Sequence, residues 1–336
     1  MHATMDQGGQ RPRSLFSFAL APLLVVSIAA RPPGHPSTTA PQTQPHSGPV
    51  SKPSATPPVT PHMADQKRSI MVGGVQRHYL LHQPRRASKT PSPLVFVLHG
   101  HGSRAQGMVG ITGFDDKADS AGFLVAYLQG LVGSAETVPS WNSGINPEYG
   151  NNADDVGFAR AVAAELVRAG QVDAKRIYAT GLSNGAAMSH RLGVDAADLL
   201  AAVAPVAGTV GIRHDGTWSK FPAPQRPLAI VMIHGEQDPN VEYDGGQGAI
   251  PPDLFVLPFA ESVAFWTKAD QCSDRPKPRV SADRNVTTTD YTSCARGSEV
   301  MTIVLADGKH EWPKRPGRNG FNATDAIWEF FSRHSK

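Results

Sequence analysis

Continuous apolar runs alternate with helix-spaced apolar positions along the chain from about residue 67 to its end. A run that is apolar at every position, such as Leu94 to Leu98, is typical of a strand buried on both faces of a sheet. Strands that alternate with helices predict a mostly parallel sheet covered by helices on both faces, the α/β class. Strands are predicted at 70–72, 75–81, 94–98, 124–127, 176–180, 201–206, 228–233 and 300–305, and helices at 156–167, 186–192, 259–269 and 323–331.

The pattern also indicates two local features at the ends of these elements. Gly73 and Gly74 separate the first two strands, which is the spacing of a hairpin. Asp154 and Asp155 precede the helix at 156–167, and acidic residues stabilise a helix N-terminus. We interpret this pair as capping residues rather than as catalytic carboxylates.

The first 66 residues have a different composition and are excluded from the predicted fold. Residues 1–30 combine Arg11 and Arg13 with a short apolar run and small residues near Ala29, as in a cleavable export signal. An uncleaved membrane anchor is the alternative, but the run is short for a transmembrane helix. Residues 31–66 are rich in Pro, Ser, Thr and Gln, which predicts a disordered linker. The folded domain is therefore predicted at 67–336.

Charge and cysteine content narrow the class of protein further. The net charge is +3 with no dense block of Lys and Arg, so nucleic-acid binding is not expected. The chain has 2 cysteines, Cys272 and Cys294. In an exported protein such a pair predicts one disulfide, and two free thiols are the alternative.

The motif that carries the chemistry is Gly181-Leu182-Ser183-Asn184-Gly185, a G-x-S-x-G pattern. In this pattern a serine sits on a sharp turn between a strand and a helix, where substrate and base can both reach its oxygen. The flanking segments agree, because a β-prone run precedes the motif and an alanine-rich helical run follows it. Ser183 is the predicted nucleophile.

A carboxylate that orients a catalytic histidine is expected in a loop that follows a buried strand. Asp238 lies after the predicted strand at 228–233 and precedes Pro239, so we predict that it is the acid. Glu236, Asp215 and Asp244 remain competitors. The stretch 208–226, which contains Asp215, is predicted to be a loop.

The general base is predicted to be His310, after the strand at 300–305. The order Ser, Asp, His along the chain is the order that the α/β-hydrolase fold uses. The chain has 13 histidines, and position singles out this one. His190 is the nearest rival, but it is expected on the helix that follows the nucleophile.

Two backbone N–H groups should stabilise the oxyanion of an acyl-transfer reaction. The loop after the strand at 94–98 contains glycines that let its backbone face a substrate. We assign the N–H groups of His101 and of Asn184, at the start of the following helix, to this role. A metal site at His99 and His101 is the alternative, but no third ligand stands nearby at a metal-site spacing, so no metal is expected.

Beyond these residues the chain resembles a known family. The segments that carry the likeness span about 67 to 336 and are similar to those of polyhydroxybutyrate depolymerases and feruloyl esterases. They are LVFVLHGHGS, WNSGINPEYGNNADDVGF, RIYATGLSNGAAMSH, HGEQDPNVEY and KHEWP.

The resemblance implies a single-domain α/β-hydrolase that cleaves carboxylic esters outside the cytoplasm without a cofactor. Carried over by position, Ser183, Asp238 and His310 would form its catalytic triad. Trp141 and Trp312 are candidates for lining a substrate pocket, although buried packing is the usual role of tryptophan.

These observations together predict a secreted serine ester hydrolase that works through an acyl-enzyme. Two other functions remain open: an acyltransferase on the same scaffold, and a catalytically silent exported binding protein. The expected partner is a small or polymeric ester. We expect a monomer that neither binds nucleic acid nor inserts stably into a membrane.

Overall fold

The computed structural model of the protein describes residues 66–85, 90–134, 137–145, 151–249, 254–273, 275–314 and 320–336. The predicted export signal at 1–30 lies outside these residues. The predicted linker at 31–66 also lies outside them, apart from Gln66, where the first strand begins.

The described residues form strands and helices that alternate along most of the chain. The strands are β1 Gln66–Val72, β2 Val75–His82, β3 Ser92–Leu98, β4 Leu124–Leu128, β5 Leu131–Val132, β6 Pro139–Ser140, β7 Val172–Leu182, β8 Ala202–Val206, β9 Gly211–His214, β10 Thr217–Lys220, β11 Ala229–Gly235, β12 Gly246–Gln247, β13 Phe255–Val256, β14 Arg279–Val280, β15 Val286–Tyr291 and β16 Val300–Leu305. The helices are α1 Ala105–Thr112, α2 Phe114–Ala121, α3 Asp155–Arg168, α4 Asn184–Asp195, α5 Phe259–Ala269 and α6 Ala323–Ser332.

Ten strands build the main sheet, in the order β1-β2-β4-β3-β7-β8-β11-β16-β15-β14. The centre, from β4 through β16, is parallel. Both margins are antiparallel: β1 and β2 on one side, and β15 and β14 on the other. The strands of the centre therefore all end at the same edge of the sheet.

The helices cover both faces of this sheet, and the alternation of side chains along each strand creates two cores. In β3, Leu94, Phe96 and Leu98 point into one core, whereas Val95 and Val97 point into the other. The first core receives α3, α4 and α5, and the second receives α1, α2 and α6. All seven residues of β3 are buried, as the apolar run predicts.

The predicted strands and helices are all present, with ends that differ by a few residues. Helices α1 and α2, which the pattern does not predict, cover one face beside β3 and β4. Helix α1 contains Gly107 and Gly110, which weaken the helical signal. Helix α2 buries only Phe114 and Ala118, too few positions to give a clear period.

The stretch 208–226 contains a hairpin, so its prediction as a loop is corrected. Strands β9 and β10 pair around Asp215 and Gly216, which have φ angles of 47° and 76°. An Asp-Gly pair with positive φ is the favoured two-residue hairpin turn, and this signal is present in the sequence. With β12 and β13 the hairpin forms a separate four-stranded sheet.

Cys272 and Cys294 form a disulfide, which confirms the predicted pairing. The bridge joins the residues after α5 to the segment between β15 and β16, which places it away from the loops that follow the parallel strands. Among the described residues, no helix is both long enough and apolar enough to span a bilayer.

Candidate active site

The three residues predicted to form the triad follow three parallel strands of the main sheet. Ser183 follows β7, Asp238 follows β11 and His310 follows β16. Because β7 and β11 both flank β8, and β16 lies beside β11, the three loops leave neighbouring strands at one edge. Ligands of open α/β sheets bind at this carboxyl edge.

Ser183 occupies a strained backbone position between β7 and α4. Its φ is 59° and its ψ is −118°, a combination that residues other than glycine rarely adopt. Surrounding hydrogen bonds hold it there: its N–H donates to the Val206 carbonyl at 3.0 Å, and its carbonyl accepts from Ala186 and Ala187 at 2.8 and 3.0 Å. The residue is partly exposed, so its side chain stands at the surface of the turn.

The flanking glycines are required because the backbone passes too close for any side chain. A Cβ atom at Gly181 would lie 2.5 Å from the Gly185 carbonyl oxygen. A Cβ atom at Gly185 would lie 2.3 Å from the carbonyl oxygen of Leu98. Packing of the turn against the end of β3 therefore dictates the G-x-S-x-G spacing.

Asp238 is buried, and several donors hold its carboxylate. One oxygen, Oδ1, accepts from the N–H groups of Asn240 and Val241 at 2.8 and 2.9 Å. The other, Oδ2, lies 2.8 Å from Nδ1 of His310. Burial disfavours the charge, but the hydrogen bonds from His310 and from these backbone groups outweigh it, so the pKa of Asp238 lies below its ordinary value.

The rival acids do not occupy comparable positions. The side chain of Glu236 is exposed to solvent. Asp215 forms the tip of the β9–β10 hairpin, where its side chain is 80% exposed. Asp244 lies in a turn and is exposed to solvent. The structure therefore brings His310 together with Asp238, the residue that the sequence predicts.

His190, the rival base, is buried on α4. Its Nδ1 accepts a hydrogen bond from the indole N–H of Trp266 at 3.0 Å. Burial lowers the pKa of His190 to about 3, so this imidazole stays neutral inside the core.

His234, at the end of β11, is a member of the site that the sequence reasoning missed. Its Nε2 lies 2.7 Å from the Val241 carbonyl and 3.8 Å from Oδ2 of Asp238. Burial lowers the pKa of His234, so the ring supports the loop as a neutral donor. The signal available in the sequence is a histidine directly after the apolar run at 228–233.

The loop after β3 reaches the serine turn, as predicted for a source of oxyanion donors. A Cβ atom at Gly100 would lie 3.5 Å from the Cβ of Ser183, so the backbone next to His101 lies against the serine. Asn184 is the first residue of α4, and the first N–H groups of a helix have no partner within it. The ring of His99 lies 2.8 Å from the Gly100 carbonyl through Nδ1, and its Nε2 accepts from Gly130 at 3.0 Å. Both ring nitrogens of His99 are thus used within the protein.

Trp141 and Trp312 are buried, with exposed fractions of 1% and 5%. The indole of Trp141 donates to the His99 carbonyl at 2.8 Å, and that of Trp312 donates to Thr324 at 3.0 Å. Both side chains therefore pack inside the protein, and their place beside a substrate stays a prediction.

The two aspartates before α3 have different roles. Asp154 caps the helix, because its side chain accepts from the N–H of Gly157 at 2.7 Å, and this confirms the capping prediction. Asp155 is buried, forms a salt bridge with Arg77 and accepts from the N–H of Asn142 at 2.8 Å. Its capping prediction is corrected: this carboxylate joins β2, α3 and the loop before it.

The chain resembles known esterases in sequence and in fold. A model of the family described as Esterase PHB depolymerase matches residues 77–221. NocK of Nocardia uniformis subsp. tsuyamanensis, which is described as an esterase, is 33% identical over 267 residues, 73% of this chain and 73% of NocK. Feruloyl esterase C of Emericella nidulans is 28% identical over 271 residues, 79% of this chain and 88% of that protein.

A solved structure supports the fold assignment. The acetyl xylan esterase from Aspergillus awamori superimposes with a TM-score of 0.57 at 14% identity, over 80% of this chain and 99% of that one. With its parallel sheet, its serine turn and these relatives, the protein is an ester hydrolase of the α/β-hydrolase fold. The chain belongs to the esterase PHB depolymerase family.

Proposed function

We propose that the protein is an exported serine carboxylesterase in which Ser183, His310 and Asp238 act as nucleophile, general base and orienting acid. The observation that carries this proposal is the 2.8 Å contact between Nδ1 of His310 and Oδ2 of Asp238, at the edge of the sheet where the strained turn at Ser183 also lies. This contact leaves Nε2 of His310 as the ring nitrogen that can take up a proton. A carboxylate with a depressed pKa stabilises the cationic ring that then forms.

The proposed reaction has two steps. His310 takes the proton of Ser183 as the serine oxygen attacks the ester carbonyl, and returns it to the leaving alcohol when the C–O bond breaks. Water then attacks the acyl-enzyme with His310 again as base, which releases the acid and restores Ser183. The N–H groups of His101 and Asn184 hold the negative oxygen in both steps.

The substrate class follows from the names of the relatives, which describe feruloyl, acetyl xylan and polyhydroxybutyrate esterases. We propose that this chain also cleaves carboxylic esters carried by a polymer. Hydrolysis of methyl ferulate, acetylated xylan and a polyhydroxyalkanoate film, measured side by side, would identify the acyl group. Export is proposed from the predicted signal at 1–30 and is supported by the disulfide, a bond that persists in oxidising compartments.

Replacement of the nucleophile tests the mechanism. Ser183→Ala should lower kcat by about 10⁴- to 10⁶-fold, because no oxygen remains to form the acyl-enzyme. Ser189→Ala is the matched control: it removes a hydroxyl from α4, the helix that follows Ser183, where that hydroxyl donates to the Gly185 carbonyl at 2.9 Å. Peptide mapping after treatment with an organophosphate probe should find the label on Ser183. Near-normal activity of Ser183→Ala would exclude this mechanism.

A further inference from the structure

We propose that Trp141 is a positioning residue that joins the two sources of oxyanion donors, the start of α4 and the loop after β3. This inference rests on the proposed function, because it concerns the His101 and Asn184 N–H groups. It assigns Trp141 a role that acts through other residues, since its own ring is buried.

The first half of the connection is made by the main chain of Trp141. Its N–H donates to Oδ1 of Asn184 at 2.7 Å, and its carbonyl accepts from Nδ2 of Asn184 at 3.4 Å. The side chain of the first residue of α4 is thus held at both of its polar atoms. This contact fixes the orientation of the residue whose backbone N–H is one proposed donor.

The second half is made by the indole. Its N–H donates to the His99 carbonyl at 2.8 Å, and the ring lies 4.9 Å from the His99 imidazole between centroids. His99 in turn holds the carbonyl of Gly100 through Nδ1 at 2.8 Å. The Gly100 carbonyl and the His101 N–H belong to one planar peptide and point in opposite directions. A held Gly100 carbonyl therefore sets the direction of the His101 N–H.

The protonation state of His99 agrees with this arrangement. Nδ1 faces a carbonyl and must carry a proton, whereas Nε2 faces the Gly130 N–H and must not. Burial lowers the pKa of His99 to about 4, so the neutral form that both contacts need is present at neutral pH.

The loop that carries Trp141 is anchored from behind. Asn151 donates to the Ser140 carbonyl at 2.7 Å, and Asp155 accepts from the Asn142 N–H at 2.8 Å. Arg77, only 1% exposed, holds that carboxylate from β2. Both residues next to Trp141 in the chain therefore form hydrogen bonds to buried groups. These bonds hold the loop, and with it the indole, in a fixed position.

The consequence is geometric precision of the oxyanion hole. Its two proposed donors belong to elements that are separate in sequence, and the interaction energy depends on donors that are already aimed at the developing charge. A single buried residue that contacts one element through its main chain and the other through its indole keeps their spacing constant. Loss of the indole N–H should leave both donors present but less well aligned.

The test compares Trp141→Phe with Trp266→Phe. Both changes keep a ring and remove a buried indole N–H that bonds at 2.8 Å to His99 or at 3.0 Å to His190. We expect both variants to lose stability in thermal unfolding. We expect only Trp141→Phe to lower kcat, by about tenfold with little change in KM, which is less than the loss of a whole oxyanion donor.

A transition-state analogue separates positioning from simple structural support. An aryl trifluoromethyl ketone forms an anionic adduct with the nucleophile, so its inhibition constant should weaken in Trp141→Phe by the same factor as kcat/KM. The affinity for an uncharged amide analogue of the substrate should stay constant. Asn184→Ala, which keeps the backbone N–H, should behave like Trp141→Phe.

The kcat values of these variants distinguish a failure of the positioning role from a failure of the proposed function. Equal and unchanged kcat values in the two tryptophan variants, with Ser183→Ala inactive, would refute the positioning role and leave the proposed function intact. An active Ser183→Ala would instead refute the proposed function. A loss of kcat confined to Trp141→Phe and Asn184→Ala, with parallel weakening of the ketone, supports the inference.

Discussion

Two regions of the molecule each bury an aspartate, and the pKa of the carboxylate shifts in opposite directions in the two places. In the loop after β11, Asp238 has a pKa below its ordinary value. At the end of α5, burial raises the pKa of Asp270 from 3.8 to about 7, against the opposing hydrogen bond from the N–H of Leu228 at 3.1 Å. Burial alone would raise both values.

The difference comes from the number and kind of donors. Asp238 accepts from two backbone N–H groups and from His310, so its charge is stabilised on both oxygens. At Asp270, by contrast, the opposing hydrogen bonds are too few to offset desolvation. A buried aspartate is thus suited to orient an imidazole only where the surrounding loop supplies donors, and the loop after β11 does so.

The largest effect, a loss of kcat, should come from removing the charge of Asp238. Asp238→Asn should lower kcat by about 10²- to 10⁴-fold, because the amide cannot stabilise the cationic form of His310 and favours the wrong tautomer. Steady-state kinetics on a short-chain aryl ester measure this loss, and circular dichroism checks that the variant folds.

Glu236→Gln is the matched control, since it neutralises an exposed carboxylate two residues earlier in the same loop. Activity should remain within about twofold of the original. A crippled Glu236→Gln beside an active Asp238→Asn would reverse the assignment of the acid while leaving the fold unaffected.

A second experiment concerns the disulfide next to Asp270. The bridge between Cys272 and Cys294 closes a segment with a sequence separation of 22 residues. Replacing both cysteines by serine should lower the free energy of unfolding by roughly 3 kcal/mol, because the unfolded chain regains the entropy of the open loop.

Denaturant unfolding of protein recovered from the culture medium measures that difference. The kcat of the folded variant should be unchanged, because the bridge lies outside the loops that carry the proposed triad. A large loss of kcat with unchanged stability would show that the bridge supports the site instead.

The smallest expected effect is a change in the free energy of unfolding on substitution of Asp270, and its size depends on pH. The folded protein holds this proton more tightly than the unfolded chain, so stability falls as the pH rises from about 4 towards 7 and is then constant. Asp270→Asn removes the titration, and its amide oxygen can still accept from Leu228. The variant should match the original protein near pH 4 and exceed it by on the order of 1–3 kcal/mol at pH 8.

Parallel unfolding titrations at the two pH values measure the difference, with kcat as a control that should not move. An equal effect of Asp270→Asn at both pH values would show that the residue acts through packing rather than through its proton. The contrast with Asp238 would then have to be explained by something other than hydrogen-bond donors.

The parallel core and the candidate residues were predictable because their signals are local. The run Leu94 to Leu98 is apolar at every position, and the motif around Ser183 combines a strand, a turn and a helix within a few residues. Asp238 and His310 each follow a strong strand signal. Local pattern is sufficient where one element determines where a residue lies.

Contacts between distant elements were not predictable. The indole of Trp141 reaches His99 over 42 positions, and Arg77 reaches Asp155 over 78. The spacing of apolar residues along the sequence does not indicate such long-range pairs. Trp141 was therefore expected at a substrate pocket and Asp155 at a helix cap. The β9–β10 hairpin was missed for a different reason: its Asp215-Gly216 signal is local, but short alternating strands on a separate small sheet bury few residues.

The two margins of the main sheet present different surfaces to a neighbouring molecule. At one margin, β14 has two residues, and its Arg279 is paired with Asp290 on β15, which places charged side chains at that edge. At the other, among the residues that the structure describes, β1 pairs with β2 alone, along seven residues, and Met71 there is 60% exposed. Long exposed edge strands are the usual starting points of intermolecular sheet growth. The tendency of this protein to aggregate in concentrated solution should therefore depend on β1, even though several strands separate it from β7, β11 and β16, which carry the proposed triad.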